Sequence, residues 1–232
     1  MATFYELHPD NPQARIVQQI CKKLHSGAVM LYPTDTVYAI GCDLQSKSAI
    51  QRVRQLKQGA HDKNGAKNGV KSGANDKPLT FLCSSLSNIA QYAYVSDPAY
   101  RTMRHLIPGP YTFILPATKL VPKLVMNPKR KTSGIRVPDH TICHSLLETL
   151  GNPVISTSAH IVDEESPYKD NPYLSRYELF DALEKQVDII IDNGADLEYE
   201  TSTVLDMTDD EPLVLRRGLG IEAVENFATV EA

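Results

Sequence analysis

The chain has 232 residues, of which 42% are hydrophobic and 22% are charged, and its formal net charge is −4. This length and apolar content suffice for one large domain with a buried core. The negative net charge excludes a general electrostatic attraction to nucleic acid, so that any contact with RNA requires a local basic patch.

The four cysteines are far apart and have no C-x-x-C spacing, which is typical of reduced, buried thiols and not of a disulfide framework or a zinc knuckle. The N-terminus lacks a basic segment followed by an apolar one, and no run approaches 18 consecutive apolar residues. We therefore expect a cytoplasmic protein with no membrane-spanning segment.

Helix-like and strand-like segments alternate from the N-terminus onward. Asp10 or Asn11 can cap a first helix that has Pro12 in its first turn, and apolar residues at helical spacing continue until Gly27. An apolar strand over 28–32 follows.

The remaining elements follow the same alternation. Ser46 predicts the start of a second helix, Asp97 followed by Pro98 predicts the start of another, and helices are expected near 141–150 and 175–185. Further strands are predicted at 79–83, 112–117, 135–137, 154–156, 187–191, 203–207 and 213–215. The pattern predicts an α/β fold without internal repeats.

A run of polar residues directly follows the strand at 28–32. Thr34, Thr36 and Tyr38 offer hydroxyls at a spacing of two, which places them on one side of an extended chain. Pro33 stiffens the start of the run and Gly41 permits a close backbone approach. Such a strand end suits a small polar ligand, and an edge strand with an ordinary turn is the alternative.

Residues 57–77 interrupt the alternation. The segment has almost no apolar residues, and it contains four glycines and five lysines against two aspartates. This composition predicts a flexible insertion. Its lysines could contact phosphates of ATP or RNA, but we favour a solvated loop because long surface insertions cost little.

Five motifs occur in the order expected of one known family. The polar run 32–41 is followed by the segments 108–115, 134–138, 156–160 and 202–206. In this order they resemble the YrdC domain family, which includes the threonylcarbamoyl-AMP synthases that supply tRNA threonylcarbamoyladenosine (t6A) modification. The segments 8–12, 129–132 and 183–188 resemble its YciO-like subgroup most.

The resemblance implies the fold and the ligands. It implies a single α/β domain over residues 1–232, with the motifs within about 8–218, built as a twisted open mixed sheet flanked by helices, with a concave basic surface. The implied activity is that of a nucleotidyltransferase acting on threonine, bicarbonate and ATP with Mg²⁺, and the implied partners are double-stranded RNA or tRNA and tRNA-modification proteins.

The resemblance also implies site residues. No residue is implied as a covalent catalyst or a metal ligand, because positioning and electrostatic stabilisation would carry the reaction. The ATP-binding residues would be Arg52, Arg54, Thr132, Ser158 and Arg216. The threonine-binding residues would be Thr34, Tyr38, Arg136, Ser156 and Ser202. The basic run Lys129, Arg130 and Lys131 would contact RNA, or would be a solvated loop.

Two positions depart from the synthase pattern, with Arg52 in place of a lysine and His160 in place of an asparagine. A guanidinium fork and an imidazole differ in reach and in hydrogen bonding from the groups they replace. Three hypotheses therefore stay open: a threonylcarbamoyl-AMP synthase, an RNA-binding module, and a YciO-like paralogue that binds or hydrolyses an adenylate without making it.

Other chemistries find little support. The sequence has no G-x-x-x-x-G-K-[ST] phosphate loop, no G-x-G-x-x-G fingerprint and no G-x-S-x-G around Ser156 or Ser158. His140 and His144 have a spacing that can bind zinc, but the glutamate of H-E-x-x-H is missing.

Overall fold

The computed structural model describes residues 1–59, 79–159, 174–225 and 229–230. The strands in this part of the chain are β1 (Thr3–Glu6), β2 (Met30–Tyr32), β3 (Ala39–Asp43), β4 (Thr80–Leu82), β5 (Tyr111–Pro116), β6 (Thr132–Arg136), β7 (Val154–Ser158), β8 (Ile189–Asp192), β9 (Thr203–Asp206), β10 (Leu213–Arg216) and β11 (Thr229–Val230). The helices in it are α1 (Ala14–His25), α2 (Lys47–Gly59), α3 (Leu86–Tyr92), α4 (Asp97–Leu106), α5 (Thr141–Leu150) and α6 (Arg176–Leu183).

All of these strands join one mixed sheet, in the order β1-β8-β2-β3-β7-β4-β6-β5-β9-β10-β11. Parallel and antiparallel pairs both occur: β4 pairs parallel with β6, for example, whereas β6 pairs antiparallel with β5. The predicted α/β domain with a mixed sheet and flanking helices is confirmed.

One face of the sheet is covered over most of its width. Leu31, Ile40, Phe81, Ile135 and Ile155 lie on this face, each next in sequence to a residue of the opposite face. They pack against buried residues of α2, α3, α4 and α6. This cluster is the larger of the two hydrophobic cores.

The opposite face is covered at one end. Met30, Tyr32, Ala39, Leu82 and Val154 pack there against the apolar sides of α1 and α5. Leu82 of β4 is the farthest residue under these helices, and none of the described helices covers the same face over β6, β5 and β9. This uncovered half of the face is where a concave surface forms.

Three sequence-based expectations differ from the structure. The first helix is capped by Gln13 and not by Asp10 or Asn11, whose backbone N–H groups both donate to His8 Nδ1 at 3.2 Å. Strands β1, β3 and β11 and helix α3 were not predicted. Lys57 to Gly59 of the predicted insertion are the last residues of α2, and the rest of that segment lies outside the described residues. Among the helices of the described ranges, none is both long and apolar enough to cross a membrane.

Candidate functional site

A cleft of about 540 Å³ lies on the uncovered half of the sheet. Its floor consists of residues at alternate positions of neighbouring strands, because alternate side chains of a strand point to the same face. The floor residues are Thr80 and Leu82 of β4, Thr112 and Ile114 of β5, Thr132 and Arg136 of β6, Ser156 and Ser158 of β7, Val204 of β9, and Ser202 directly before β9.

Gly134 lies between Thr132 and Arg136 on the same face of β6. A Cβ atom at this position would stand 2.9 Å from Thr80 Oγ1 and 3.4 Å from the side chains of Thr112 and Ile114. The absence of a side chain at Gly134 therefore deepens the centre of the cleft floor.

The cleft is positively charged. Four cationic residues line it, namely Lys57, Arg130, Arg136 and Arg216, and its described lining includes no aspartate or glutamate. Hydroxyl groups from four strands surround these cations. Guanidinium and ammonium groups together with hydroxyl donors suit a carboxylate or a phosphate.

Arg136 is buried and has a protein partner at each nitrogen. Its Nη2 lies 2.6 Å from Asp35 Oδ1, its Nη1 donates to Thr36 Oγ1 at 2.8 Å, and its Nε donates to the Gly109 carbonyl at 3.3 Å. Asp35 Oδ2 also accepts the backbone N–H of Asp139 at 2.9 Å. Arg136 therefore holds the polar run after β2 against β6 at one end of the cleft.

Arg216 is the cation with the most free charge. Its Nε and Nη2 donate to the Ser202 carbonyl at 3.1 and 2.8 Å, and Nη2 also contacts Ser202 Oγ at 3.1 Å. Within the described ranges it has no ion pair with a carboxylate. Burial, and then repulsion by Arg136, lower the pKa of Arg216 below its ordinary value. A bound anion would relieve this repulsion.

Two pairs of hydroxyl side chains are hydrogen-bonded to each other at the cleft. Ser202 Oγ lies 2.9 Å from Thr112 Oγ1, and the Tyr32 hydroxyl donates to Ser156 Oγ at 2.8 Å. Burial raises the pKa of Tyr32, so that its hydroxyl stays protonated and remains a donor. These contacts fix the directions of the serine hydroxyls that line the cleft.

The structure brings together six of the ten predicted ligand-binding residues. Those lining the cleft are Thr132, Arg136, Ser156, Ser158, Ser202 and Arg216. Thr34 and Tyr38 are not among the lining residues: Thr34 Oγ1 donates to the Val37 carbonyl at 2.7 Å, and the Tyr38 hydroxyl donates to Asn193 Oδ1 at 3.1 Å.

The two predicted arginines of α2 are also outside the cleft. Arg52 pairs with Asp188, with Nη1 and Oδ2 2.7 Å apart, and lines a different, shallow cavity beside α1. Arg54 donates from Nη1 to the Leu124 carbonyl at 2.9 Å. The cation that α2 contributes to the cleft is Lys57, one turn after Arg54.

The predicted RNA-binding run is divided. Lys129 and Lys131 are exposed. Arg130 lines the cleft, and its Nη2 lies 2.7 Å from Asp206 Oδ2 and 3.0 Å from Thr208 Oγ1. Arg130 is thus held beside the small-molecule cleft, although 51% of its side chain is exposed.

Sequence reasoning missed Lys57, Thr80 and Asn127, which also line the cleft. Lys57 was assigned to the insertion, and the signal that could have found it is its helical spacing from Arg54. Thr80 follows from the alternation of β4 once its uncovered face is known. His160 lies outside the described residues.

The histidine pair on α5 does not form a metal centre with other residues. Within the described ranges, no group of three or more histidine, cysteine, aspartate or glutamate residues could hold a metal ion. Burial lowers the pKa of His140, which favours its neutral form.

Comparison with known proteins identifies the family. The family model for Sua5, YciO and YrdC, described as "Telomere recombination", matches residues 22–65 and 69–218. The chain belongs to the Sua5/YciO/YrdC family. It is 40% identical over 220 residues to the uncharacterised protein YciO of Escherichia coli K12, a match that covers 95% of this chain and 97% of YciO.

Relatives that are named threonylcarbamoyl-AMP synthase are less similar to this chain. The chain is 26% identical over 204 residues to the threonylcarbamoyl-AMP synthase of Pyrococcus abyssi, a match that covers 87% of this chain and 54% of that protein. The crystal structure of E. coli YciO has a TM-score of 0.80 at 39% identity and covers 98% of this chain and 100% of YciO. That of P. abyssi Sua5 complexed with L-threonine has a TM-score of 0.77 at 23% identity and covers 99% of this chain and 63% of Sua5.

Proposed function

We propose that this protein is an L-threonylcarbamoyl-AMP synthase of the nucleotidyltransferase type, which uses threonine, bicarbonate and ATP for the t6A modification of tRNA. The observation that carries the proposal is the composition of the cleft: four cations and several fixed hydroxyls, with no carboxylate in its described lining. An amino-acid carboxylate and a triphosphate both require such a surface. Family membership and the synthase relative in P. abyssi support the same activity.

The reaction needs no nucleophile from the protein. The threonine amino group attacks the carbon of bicarbonate and forms a carbamate with loss of water, and a carbamate oxygen then attacks the α-phosphorus of ATP. The bond between the α- and β-phosphates breaks and pyrophosphate leaves. The protein positions the reactants and stabilises the negative charge that moves onto pyrophosphate.

The contacts of Arg216 and Arg136 indicate different roles for the two cations in this reaction. Arg216 has no carboxylate partner in the described ranges and is the group best able to bind a phosphate. Arg136 contacts Asp35, Thr36 and Gly109 and so fixes the loop after β2. The ligand-binding role of Arg136 is therefore indirect.

The cleft does not fit Mg²⁺ as a resident ion. Mg²⁺ is bound in proteins through one or two carboxylates together with the phosphates of a substrate, and the described lining has no carboxylate. The cation would enter with the ATP.

Pyrophosphate release by the purified protein tests the proposal. With ATP and magnesium, release should require both threonine and bicarbonate. Arg216→Ala should lower the rate at least about a hundredfold, as expected for a group that stabilises transferring charge. Arg217→Ala is the matched control, because Arg217 is exposed and pairs with Glu225. Release that persists without threonine would exclude this reaction.

An adenylate-binding paralogue without synthase activity is the second candidate. The 40% identity to YciO over nearly the whole chain favours it. Arg52 is one of the two departures from the synthase pattern. Because it lies outside the cleft, this departure is weaker evidence against synthase activity than the sequence alone indicates. If the folded protein binds AMP at equilibrium but releases no pyrophosphate, the result supports the adenylate-binding paralogue over the synthase.

Contact with tRNA or double-stranded RNA, and with tRNA-modification proteins, is part of the proposal. The support within this chain is the exposed lysine pair Lys129 and Lys131 at the edge of the cleft. The salt dependence of RNA affinity tests it.

A further inference from the structure

One end of the cleft is formed by the turn that joins Asn127 to Thr132. The Asn127 backbone N–H donates to the Thr132 carbonyl at 2.8 Å, and the Lys131 N–H donates to the Asn127 carbonyl at 2.9 Å. Lys131 has a φ of 54° and closes the turn. Two backbone hydrogen bonds across so short a segment hold Asn127 in place relative to β6.

The side chain of Asn127 has a fixed orientation. Its Oδ1 accepts the backbone N–H of Lys129 at 2.9 Å and that of Arg130 at 3.0 Å. Only an oxygen can accept two N–H groups, so that these contacts determine which side of the amide carries the amino group.

The amino group of Asn127 is therefore what the side chain offers to the cleft that it lines. In the described part of the chain Nδ2 makes no hydrogen bond, and it is not among the buried atoms, so that it is accessible to a ligand. The group is a donor and cannot act as an acceptor. It selects for an acceptor atom on whatever binds beside it.

The surroundings of Asn127 suit a flat, weakly polar ring. Ile114, Val204 and Leu215 line the same cleft, and Leu215 is 40% exposed. Arg130 also lines it, and its contacts with Asp206 and Thr208 restrain the guanidinium plane. Nucleic-acid bases stack on arginine guanidinium groups, and aliphatic side chains can bury the remaining face of such a ring.

We propose that Asn127 determines the base specificity of the cleft, by donating a hydrogen bond from its amino group to a ring nitrogen of an adenine base that packs beside Ile114, Val204 and Leu215. This inference rests on the proposed function, which places an adenine nucleotide in the cleft. Asn127 would determine base specificity, and Arg216 on β10 would bind the phosphate.

Asn127→Asp is the variant that tests this role. Aspartate retains an oxygen for the Lys129 and Arg130 N–H groups but removes the donor. Adenosine is the probe, because it has no phosphate charge for the new carboxylate to repel. We expect its affinity, measured by calorimetry, to fall about tenfold, the effect of one hydrogen bond replaced by two facing acceptors. AMP binding by the unchanged protein is measured first.

Asn88→Asp is the matched control. Asn88 Oδ1 likewise accepts a backbone N–H, that of Ser84 at 3.3 Å, and Asn88 is not among the residues that line the cleft. This variant should bind adenosine as the unchanged protein does. Equal adenosine affinity for Asn127→Asp and the unchanged protein would overturn the inference while leaving the proposed function intact.

A series of ligands tests the same contact without any mutation. The 1-deaza, 3-deaza and 7-deaza analogues of adenosine each lack one ring nitrogen. One of the three should bind the unchanged protein about tenfold more weakly than adenosine, and that analogue should lose no further affinity for Asn127→Asp. Three analogues that bind as adenosine does would overturn the inference, even if the variant failed to fold. Absence of both AMP and adenosine binding by the unchanged protein would overturn the proposed function and this inference together.

Discussion

The contacts of Arg136 set the geometry of the cleft more than any other side chain. Its side chain and that of Asp35 are 7% and 10% exposed, so that the pair is nearly removed from water. Burying two charges is costly, and the cost is recovered only when the remaining donors also find partners. Thr36 and Gly109 supply those partners.

Removal of Asp35 should therefore destabilise the fold strongly. Asp35→Ala leaves a buried guanidinium without its counter-ion, and we expect the free energy of unfolding to fall by about 3 kcal/mol. Urea denaturation measures this change. Arg52→Ala is the comparison, because the Arg52–Asp188 pair is 42% exposed on both sides and such pairs contribute about 1 kcal/mol or less. Equal losses in the two variants would contradict the assigned role of Arg136.

Gly134 allows a second prediction about a single residue, here on the effect of filling the cleft floor. A methyl group at this position would lie on the cleft floor, 2.9 Å from Thr80 Oγ1, whose side chain can rotate away. Gly134→Ala should therefore stay folded, with a cost of about 1 to 2 kcal/mol for overpacking, but should bind AMP at least about tenfold more weakly because the methyl group occupies ligand volume. Thermal melting together with calorimetry separates the two effects, and unchanged AMP affinity would show that the ligand does not reach the floor.

The sequence alone could identify the strand residues of the cleft better than its helical residues. Arg136, Ser156 and Ser202 belong to the ordered motifs 134–138, 156–160 and 202–206. Each of these motifs overlaps a strand, so that the motif also indicates where its residues lie in the sheet. Which residue of α2 reaches the cleft depends on how the whole helix is rotated about its axis, and no sequence motif gives this rotation. The sequence therefore predicted Arg52 and Arg54 as ligand-binding residues, whereas Lys57 is the residue of α2 that lines the cleft. The fixed amide of Asn127 depends on a turn closed by Lys131, which the composition of the segment does not reveal.

Among the secondary-structure elements, those with a buried and regular pattern were predictable. The helix expected near 141–150 is α5, and the strand expected at 154–156 begins β7. Strand β1 was missed because it is an edge strand with mostly exposed side chains and so lacks an apolar alternation. Strand β3 was missed because it is buried along its whole length and lies within the predicted ligand-binding run.

Gly151, at the end of helix α5, allows a prediction about how this helix end contributes to stability. Gly151 follows the helix with a φ of 71°, and its N–H donates to the Leu147 carbonyl. A Cβ atom at Gly151 would meet nothing within 4 Å, so that a substitution acts through backbone conformation alone. Gly151→Ala should lower the free energy of unfolding by about 1 kcal/mol, measured in urea. Gly151→Asn should cost less, because asparagine tolerates this conformation, and an equal loss for both would point to a different cause.

Across the whole molecule, positive charge is concentrated against a negative background. The formal net charge is −4, yet four cations converge on the cleft and the lysines of the 127–132 turn lie at its edge. Within the described ranges, this edge of the cleft is a surface that would attract a nucleic acid. Since Arg130 is committed to Asp206, the exposed lysines are the groups available for phosphates at this edge.

The salt dependence of RNA affinity measures how many of these lysines contact phosphates. In a plot of the logarithm of affinity against the logarithm of salt concentration, from about 50 to 200 mM, each phosphate contact adds about 1 to the slope. Replacing Lys129 and Lys131 by alanine should therefore lower the slope by about 2. Replacing Lys47 and Lys185, two exposed lysines on other elements, should leave it unchanged. A flat salt response of the unchanged protein would exclude a phosphate contact altogether, and an equal change in both double variants would show that RNA responds to net charge and not to the edge of the cleft.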